Sequence, residues 1–449
     1  MLHHSSRTLQ RRDLERNKLS ISKLPNLALR LIDVFMTSQW QPILEDELAA
    51  RALSIVRAIG EALCTPRPKA SPPLAHGLAG QALLQVYLAR AGLEGGSFEA
   101  ANALLDLAIV GLERQILPPD LFSGFLGVAW ATEVLLTGEA SDEEDPNEEI
   151  DEVLADLVER SPWRGDYDLI RGLVGFGVYA MKRLPRPSAA RCLQGIVARL
   201  RDLAEPQGSG FTWLTRPDLM LPESRNLHPR GWYNLGVAHG IPGVVALLAK
   251  VCAADVPCEN ARPLLEGAVA WLLAQGQPEG AESTFPYYVD EHLTAQGQSG
   301  RSAWCYGDPG VAVCLLQAAR SQKNQEWEQA ALKVARTAAR LPYENTGVVD
   351  AGLCHGAAGL GHIYNRLFQV TGEEVFLNAA RYWLHRTIDM QQAGAGVAGY
   401  RSWSGGDEGQ WIDDPGFLTG ATGIGLALAA GVCRVEPTWD GALLMDLTL

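Results

Sequence analysis

Two kinds of apolar pattern alternate along this chain from about residue 45 to residue 430. In the first kind, Glu, Arg and Lys occupy one side of a 3.6-residue period and Leu, Ala, Val and Trp the other. That pattern predicts amphipathic helices over 45–63, 97–115, 147–160, 188–204, 261–275, 326–341 and 374–391. Ser97 is placed to cap one of them, and Pro263 suits a first turn. In the second kind the segment is apolar nearly all round and opens on Gly-x-x-Gly: Gly77/Gly80, Gly124/Gly127, Gly172/Gly175, Gly240/Gly243, Gly307/Gly310, Gly356/Gly359 and Gly420/Gly423. Glycines three apart share a helix face and let a neighbouring backbone approach closely. Such helices should be buried.

The first glycines follow one another at 47, 48, 68, 67, 49 and 64 residues, the mark of a repeat architecture. Seven outer–inner helix pairs in order predict an all-α fold, an α/α toroid with one ring of helices inside another. No run alternates with period two for long enough to predict a sheet, although small hairpins fit the long connections 206–235, 276–303 and 392–415. Long connections in a compact fold are usually functional. These carry Trp213, Trp232, Phe285, Tyr287, Tyr288, Tyr400 and Trp403, read as aromatics lining a groove. The organisation expected is an N-terminal extension over 1–44 and a single toroid domain of seven repeats over 45–449.

Composition narrows the function classes. The chain has 449 residues, 47% of them hydrophobic, and a formal charge of -14, which argues against nucleic acid or anionic membrane as the main partner. Eight scattered cysteines form no disulfide framework, and most should act as small core side chains. No apolar run approaches the length of a membrane span, and the basic stretch Met1–Arg16 leads into no signal-like segment. A reducing, cytoplasmic setting is expected, with peripheral attachment to a membrane-associated assembly as a variant of it. The acidic run Glu139–Glu152 reads as a solvated loop and helix start.

The candidate chemistry sits at the glycines. Trp304-Cys305-Tyr306-Gly307 and Leu353-Cys354-His355-Gly356 place two thiols and an imidazole at equivalent positions of two repeats. Two Cys and one His are three of the four ligands of a tetrahedral zinc, leaving a position open as catalytic zinc sites do. In a toroid the turns leading into all inner helices meet at one end. Asp168, His239, Cys305, Tyr306, Cys354 and His355 should therefore face one cavity. Cys354 and His355 can share a metal only at an irregular turn, which Gly356 permits. His239, at the same repeat position, is either a fourth ligand or a proton-transfer group. His76 also occupies this position and is read as structural, and His362, His228 and His292 are not read as ligands.

At these residues the chain resembles the lanthionine synthetase C-like family. The resemblance rests on Trp304-Cys-Tyr-Gly-Asp-Pro-Gly310 and Cys354-His-Gly-Ala-Ala-Gly359 within the sevenfold glycine pattern, and covers about residues 45 to 430. It implies Zn2+ held by Cys305, Cys354 and His355, and a Michael-type addition of a peptide cysteine to a dehydroalanine or dehydrobutyrine. The product is a lanthionine or methyllanthionine thioether ring. His239 is then the general acid that protonates the α-carbon. The resemblance also carries over Asp168 as the partner of that histidine, Arg301 as a donor to the enolate oxygen, and Tyr306 as an aid to proton transfer or a wall of the cavity.

The implied substrate is a dehydrated precursor peptide. Seven repeats fill the chain, so a separate dehydratase is expected, with an exporter as a further partner. Three other readings compete: addition of glutathione or another thiol to dehydroamino acids in proteins, a different zinc toroid such as the prenyltransferase β subunit, and a non-catalytic zinc scaffold for a dehydratase complex.

Overall fold

In the computed structural model, residues 40–67, 70–136, 145–254, 256–278, 280–290, 292, 301–405 and 409–447 are described. The basic N-terminal segment through Lys23 and the first residues of the acidic run, 139–144, lie outside them. Among the described residues, fourteen long helices dominate. The outer ones are α1 (Asp46–Leu63), α3 (Phe98–Arg114), α5 (Glu148–Glu159), α7 (Pro187–Leu203), α9 (Ala261–Ala274), α11 (Gln325–Ala339) and α13 (Glu374–Asp389). The inner ones are α2 (Leu78–Arg90), α4 (Phe125–Leu136), α6 (Leu173–Lys182), α8 (Ile241–Ala253), α10 (Asp308–Gln322), α12 (Ala357–Thr371) and α14 (Ala421–Val432). Every predicted amphipathic span is a helix to within two residues, and Ser97 caps α3 by accepting from the Ala100 N–H at 3.1 Å.

Inner helices pack side by side in the cyclic order α2, α4, α6, α8, α10, α12, α14 and back to α2, so the ring closes. Their side chains are buried almost throughout, as on α10 from Asp308 to Ala319. The pairing differs from the order read along the chain. An outer helix was expected to partner the inner helix that follows it. Instead α3, α9, α11 and α13 each pack chiefly on the inner helix before them, α7 packs on both that helix and α5, and α1 packs on α14. A short connection holds an inner helix against its successor, whereas the longer loops run from an outer helix to the next inner one. The exception is α5, which leans mainly on α7.

The long connections carry small sheets. β1 (Glu205–Gln207) and β2 (Gly210–Thr212) form an antiparallel hairpin. β3 (Leu214–Thr215), β4 (Trp232–Asn234) and β5 (Tyr288–Val289) form a three-stranded antiparallel sheet in that order. β6 (Ser402–Trp403) pairs with β7 (Trp411–Ile412). Three aromatics expected along a groove are core instead: Trp213, Phe285 and Tyr400 are at most 3% exposed. Burial is affordable because the polar ends find backbone partners, Trp213 Nε1 at Leu200 O and the Tyr400 hydroxyl at Thr387 O.

After α14 the chain turns back into the ring. The 3₁₀ segment Thr438–Leu443 brings Trp439 and Asp440 into full burial. Asp440 accepts from Arg366 at 2.7 and 2.9 Å and lies 2.7 Å from His362 Nε2, both on α12. Lys250 of α8 holds Asp446, and Gln317 of α10 donates to Leu444 O. The interior of the toroid is thus filled by its own C-terminal segment.

Candidate metal centre and the mouth of the ring

Each inner helix is entered through the same tight turn. A Cβ on the first glycine would meet the carbonyl oxygen six residues earlier: 2.0 Å at Gly124 from Pro118 O, 2.1 Å at Gly240 from Asn234 O, and 1.7 Å at Gly307 from Arg301 O. The second glycine repeats the relation one turn on, as at Gly127 (Leu121 O, 2.0 Å) and Gly359 (Leu353 O, 1.9 Å). The backbone that these glycines admit is mainly the chain's own incoming turn. Only Gly307 also has a positive φ, +117°.

Those turns are stitched to one another by backbone hydrogen bonds running one way round the ring. Phe417 N donates to Ala75 O, Ala75 N to Phe122 O, Leu169 N to Ala238 O, Ala238 N to Cys305 O, Cys305 N to Cys354 O, and Cys354 N to Leu418 O. The two cysteines are therefore direct neighbours in this belt, 3.2 Å apart from N to O. Adjacent repeats cannot carry them further apart without breaking it.

Cys305 Sγ, Cys354 Sγ and a His355 ring nitrogen lie within 4.8 Å of one another. Ligands bonded at about 2.0 to 2.3 Å to a tetrahedral zinc stand about 3.3–3.8 Å apart, so the group fits that ion with a small contraction. Cys354 and His355 occupy a turn ahead of α12, where successive side chains can converge. Left to themselves the three groups share protons. The Cys354 thiol donating to it, aided by His355, holds Cys305 well below the usual thiol range, while the same bond pushes Cys354 well above it. Contact with the Cys305 sulfur also raises the His355 pKa. A soft dication would satisfy two thiolates and a neutral imidazole together.

Across the mouth, His239 Nδ1 lies 2.6 Å from Asp168 Oδ2, and Asp168 Oδ1 accepts the Arg171 N–H at 2.7 Å. Asp168 is buried and His239 half-exposed, so the carboxylate fixes the ring and leaves Nε2 on the open side. His239 is no member of the Cys305–Cys354–His355 group. Tyr306 lies between these centres, its ring 6.4 Å from that of His239 and 5.5 Å edge-on from Tyr287. Arg301 is exposed at the rim and its backbone N–H donates to the Tyr287 hydroxyl at 2.8 Å. Burial works against its charge, but Tyr287 and the Cys305 sulfur outweigh it and raise its pKa. His76 is exposed at the rim.

Several residues here had drawn no attention in the sequence. Asn234 donates to the Tyr306 hydroxyl at 2.8 Å, and Asp350 ties the Cys354 turn to Trp403 N at 2.9 Å. Both stand six residues before a first glycine, so aligning the repeats would have found them. Asp120 and Asp166 flank Asp168, and burial pushes each carboxyl up to about 6.

Comparison with known proteins followed the same lines. Residues 68–444 match the sequence model of the family described as lanthionine synthetase C-like protein. The nisin biosynthesis protein NisC of Lactococcus lactis subsp. lactis is 23% identical over 290 residues, covering 62% of this chain and 64% of that protein. The chain thus matches slightly under two thirds of that relative's length. Among solved structures, a nisin cyclase superposes with a TM-score of 0.71 at 19% identity, over 90% of this chain and 98% of the other, which establishes a common fold. Among the described residues, no helix is long and apolar enough to cross a membrane.

Proposed function

Because the chain belongs to the lanthionine synthetase C-like family, we propose that it is a zinc-dependent lanthipeptide cyclase acting on a dehydrated precursor peptide. The observation that carries this reading is the convergence of Cys305, Cys354 and His355 with the His239–Asp168 pair at one mouth of the ring. Cys305, Cys354 and His355 would hold the zinc, whose Lewis acidity would keep an entering thiol deprotonated at neutral pH, where a free cysteine of pKa about 8.5 is mostly protonated.

The reaction adds the S–H of a peptide cysteine across the C=C of a dehydro residue in the same peptide. Sulfur bonds the β-carbon, the π electrons move onto the carbonyl as an enolate, and a proton returns to the α-carbon. The Asp168 contact at Nδ1, which leaves Nε2 on the open side, supports His239 as the acid for that last step, acting when its ring carries a proton on both nitrogens. Arg301 at the rim offers a donor to the enolate oxygen, and Tyr306, deeper between the two centres, aids proton transfer or walls the cavity. The dehydro residues require an earlier elimination of water from serine or threonine, so a dehydrating enzyme acts first on the same peptide.

Elemental analysis of wild type and Cys354→Ala, with a thiol-alkylation mass assay on a dehydrated peptide, tests the reading. About one zinc per chain, lost in the variant, with free thiols consumed by wild type alone, is the expected result. Zinc without thiol consumption would redirect the function to another thiol acceptor or a scaffold, and absence of zinc would sink the mechanism. His239→Ala should keep its zinc and lose cyclisation by about 10²-fold or more. A normal rate would remove it from the acid role.

A further inference from the structure

Three repeats close the turn ahead of the inner helix with the same side-chain bond. Asp350 Oδ1 accepts the Gly352 N–H at 3.1 Å, Asp414 Oδ1 the Gly416 N–H at 2.7 Å, and Asn234 Oδ1 the Gly236 N–H at 2.8 Å. A backbone N–H only donates, so the carbonyl oxygen of Asn234 must be the atom facing Gly236. That fixes which way round the amide lies, and its NH2 on the other side is a donor and nothing else. At the two aspartates the second carboxylate oxygen accepts, from Trp403 N at 2.9 Å and from Thr419 Oγ1 at 2.5 Å. At Asn234 the polarity is reversed.

The NH2 of Asn234 lies 2.8 Å from the Tyr306 hydroxyl oxygen, which therefore accepts. Tyr306's own O–H has no acceptor among the described residues. Asn234 is 2% exposed and cannot swing away, and Gly236 leaves room for the phenol, since a Cβ there would meet the Tyr306 ring at 2.7 Å. The hydroxyl is held near His239, its proton without an acceptor among the described residues.

We propose that Asn234 is a positioning residue that keeps the Tyr306 hydroxyl a hydrogen-bond donor to the substrate, directed at the carbonyl oxygen on which the enolate charge develops. This rests on the cyclase reading and assigns Tyr306 the donor's part in it. A donor pre-aimed at developing charge needs no reorganisation during the reaction. An aspartate at 234 would take the Tyr306 proton inward and silence it.

Asn234→Asp is the test. The variant is isosteric, and Asp350 and Asp414 already show that an aspartate makes this turn. With a synthetic dehydrated peptide, N234D should keep its fold, zinc content and KM while kcat falls about 10²-fold, as for Tyr306→Phe. The double variant should be no slower than either single one. Difference infrared spectroscopy with isotope-labelled tyrosine should show the Tyr306 C–O stretch moving from the acceptor to the donor type. A wild-type rate in N234D, an unmoved stretch, loss of zinc, or defects that multiply in the double variant would each overturn the inference. A wild type with the acceptor-type stretch that leaves the peptide thiols untouched would overturn the cyclase reading and the substrate named here, while the polarity set by Asn234 would stand.

Discussion

Asp120 and Asp166 hold their protons to about pH 6 because the mouth of the ring shields them from water and Asp168 adds like charge. With an ordinary value of 3.8 in the unfolded chain, the folded state binds more protons between pH 4 and 6. Stability must therefore fall as pH rises through that window. Asp120→Asn should flatten the slope and raise stability at pH 7 by about 1 kcal/mol, discounted for partial wetting, with the gain vanishing below about pH 4. Urea melts at pH 4 and pH 7 check it, and equal shifts at both would refute the cause given. At this scale the sequence was informative wherever a residue stood one or two places before a repeat glycine, as His239 and His355 do at one and Cys305 and Cys354 at two. Asn234 escaped because an asparagine near a turn has many ordinary reasons to be there. Its meaning comes from the comparison with Asp350 and Asp414.

Outer-helix spans were legible because burial on one side imposes a period on the chain, and the outer helices from α1 to α13 obey it. Partnership was not, since a helix's apolar stripe does not say which neighbour covers it. The aromatics of the long connections show the same limit: Trp213 and Trp403 look alike in sequence, yet one is core and the other rims the mouth. The turn ahead of α10 offers the sharpest test at this scale. Gly307→Ala forces a Cβ to within 1.7 Å of Arg301 O at a φ of +117°. A cost above about 3 kcal/mol is expected, with Cys305 displaced and zinc stoichiometry reduced. Unchanged melting and metal content would show that the turn relaxes freely.

At the scale of the molecule, the C-terminal segment is the feature least visible in sequence, because nothing in Glu436–Leu447 announces that it enters the ring. Its anchor is ionic. Arg366 and Asp440 are each at most 2% exposed and bond each other twice. Removing one partner of a buried pair costs about 3–5 kcal/mol, so Arg366→Met should lower the melting temperature steeply. Trp304 Nε1 donates to Leu443 O, which links the loosened segment to the residue before Cys305.

The belt of backbone bonds has a mechanical consequence. Seven staves packed into a closed ring share a circumference, and backbone bonds tie six of the seven junctions between them. The distance between the Cys305 and Cys354 sulfurs is thus a gauge of the whole girth. Thickening a remote stave should register there: an alanine at Gly177 would press on Leu247, 2.5 Å away, between α6 and α8. If zinc binds at Cys305, Cys354 and His355 as proposed, competition with a chelator would then find weaker binding in a variant that leaves those three residues untouched, and the fit around the ion would prove to be owned by no single residue.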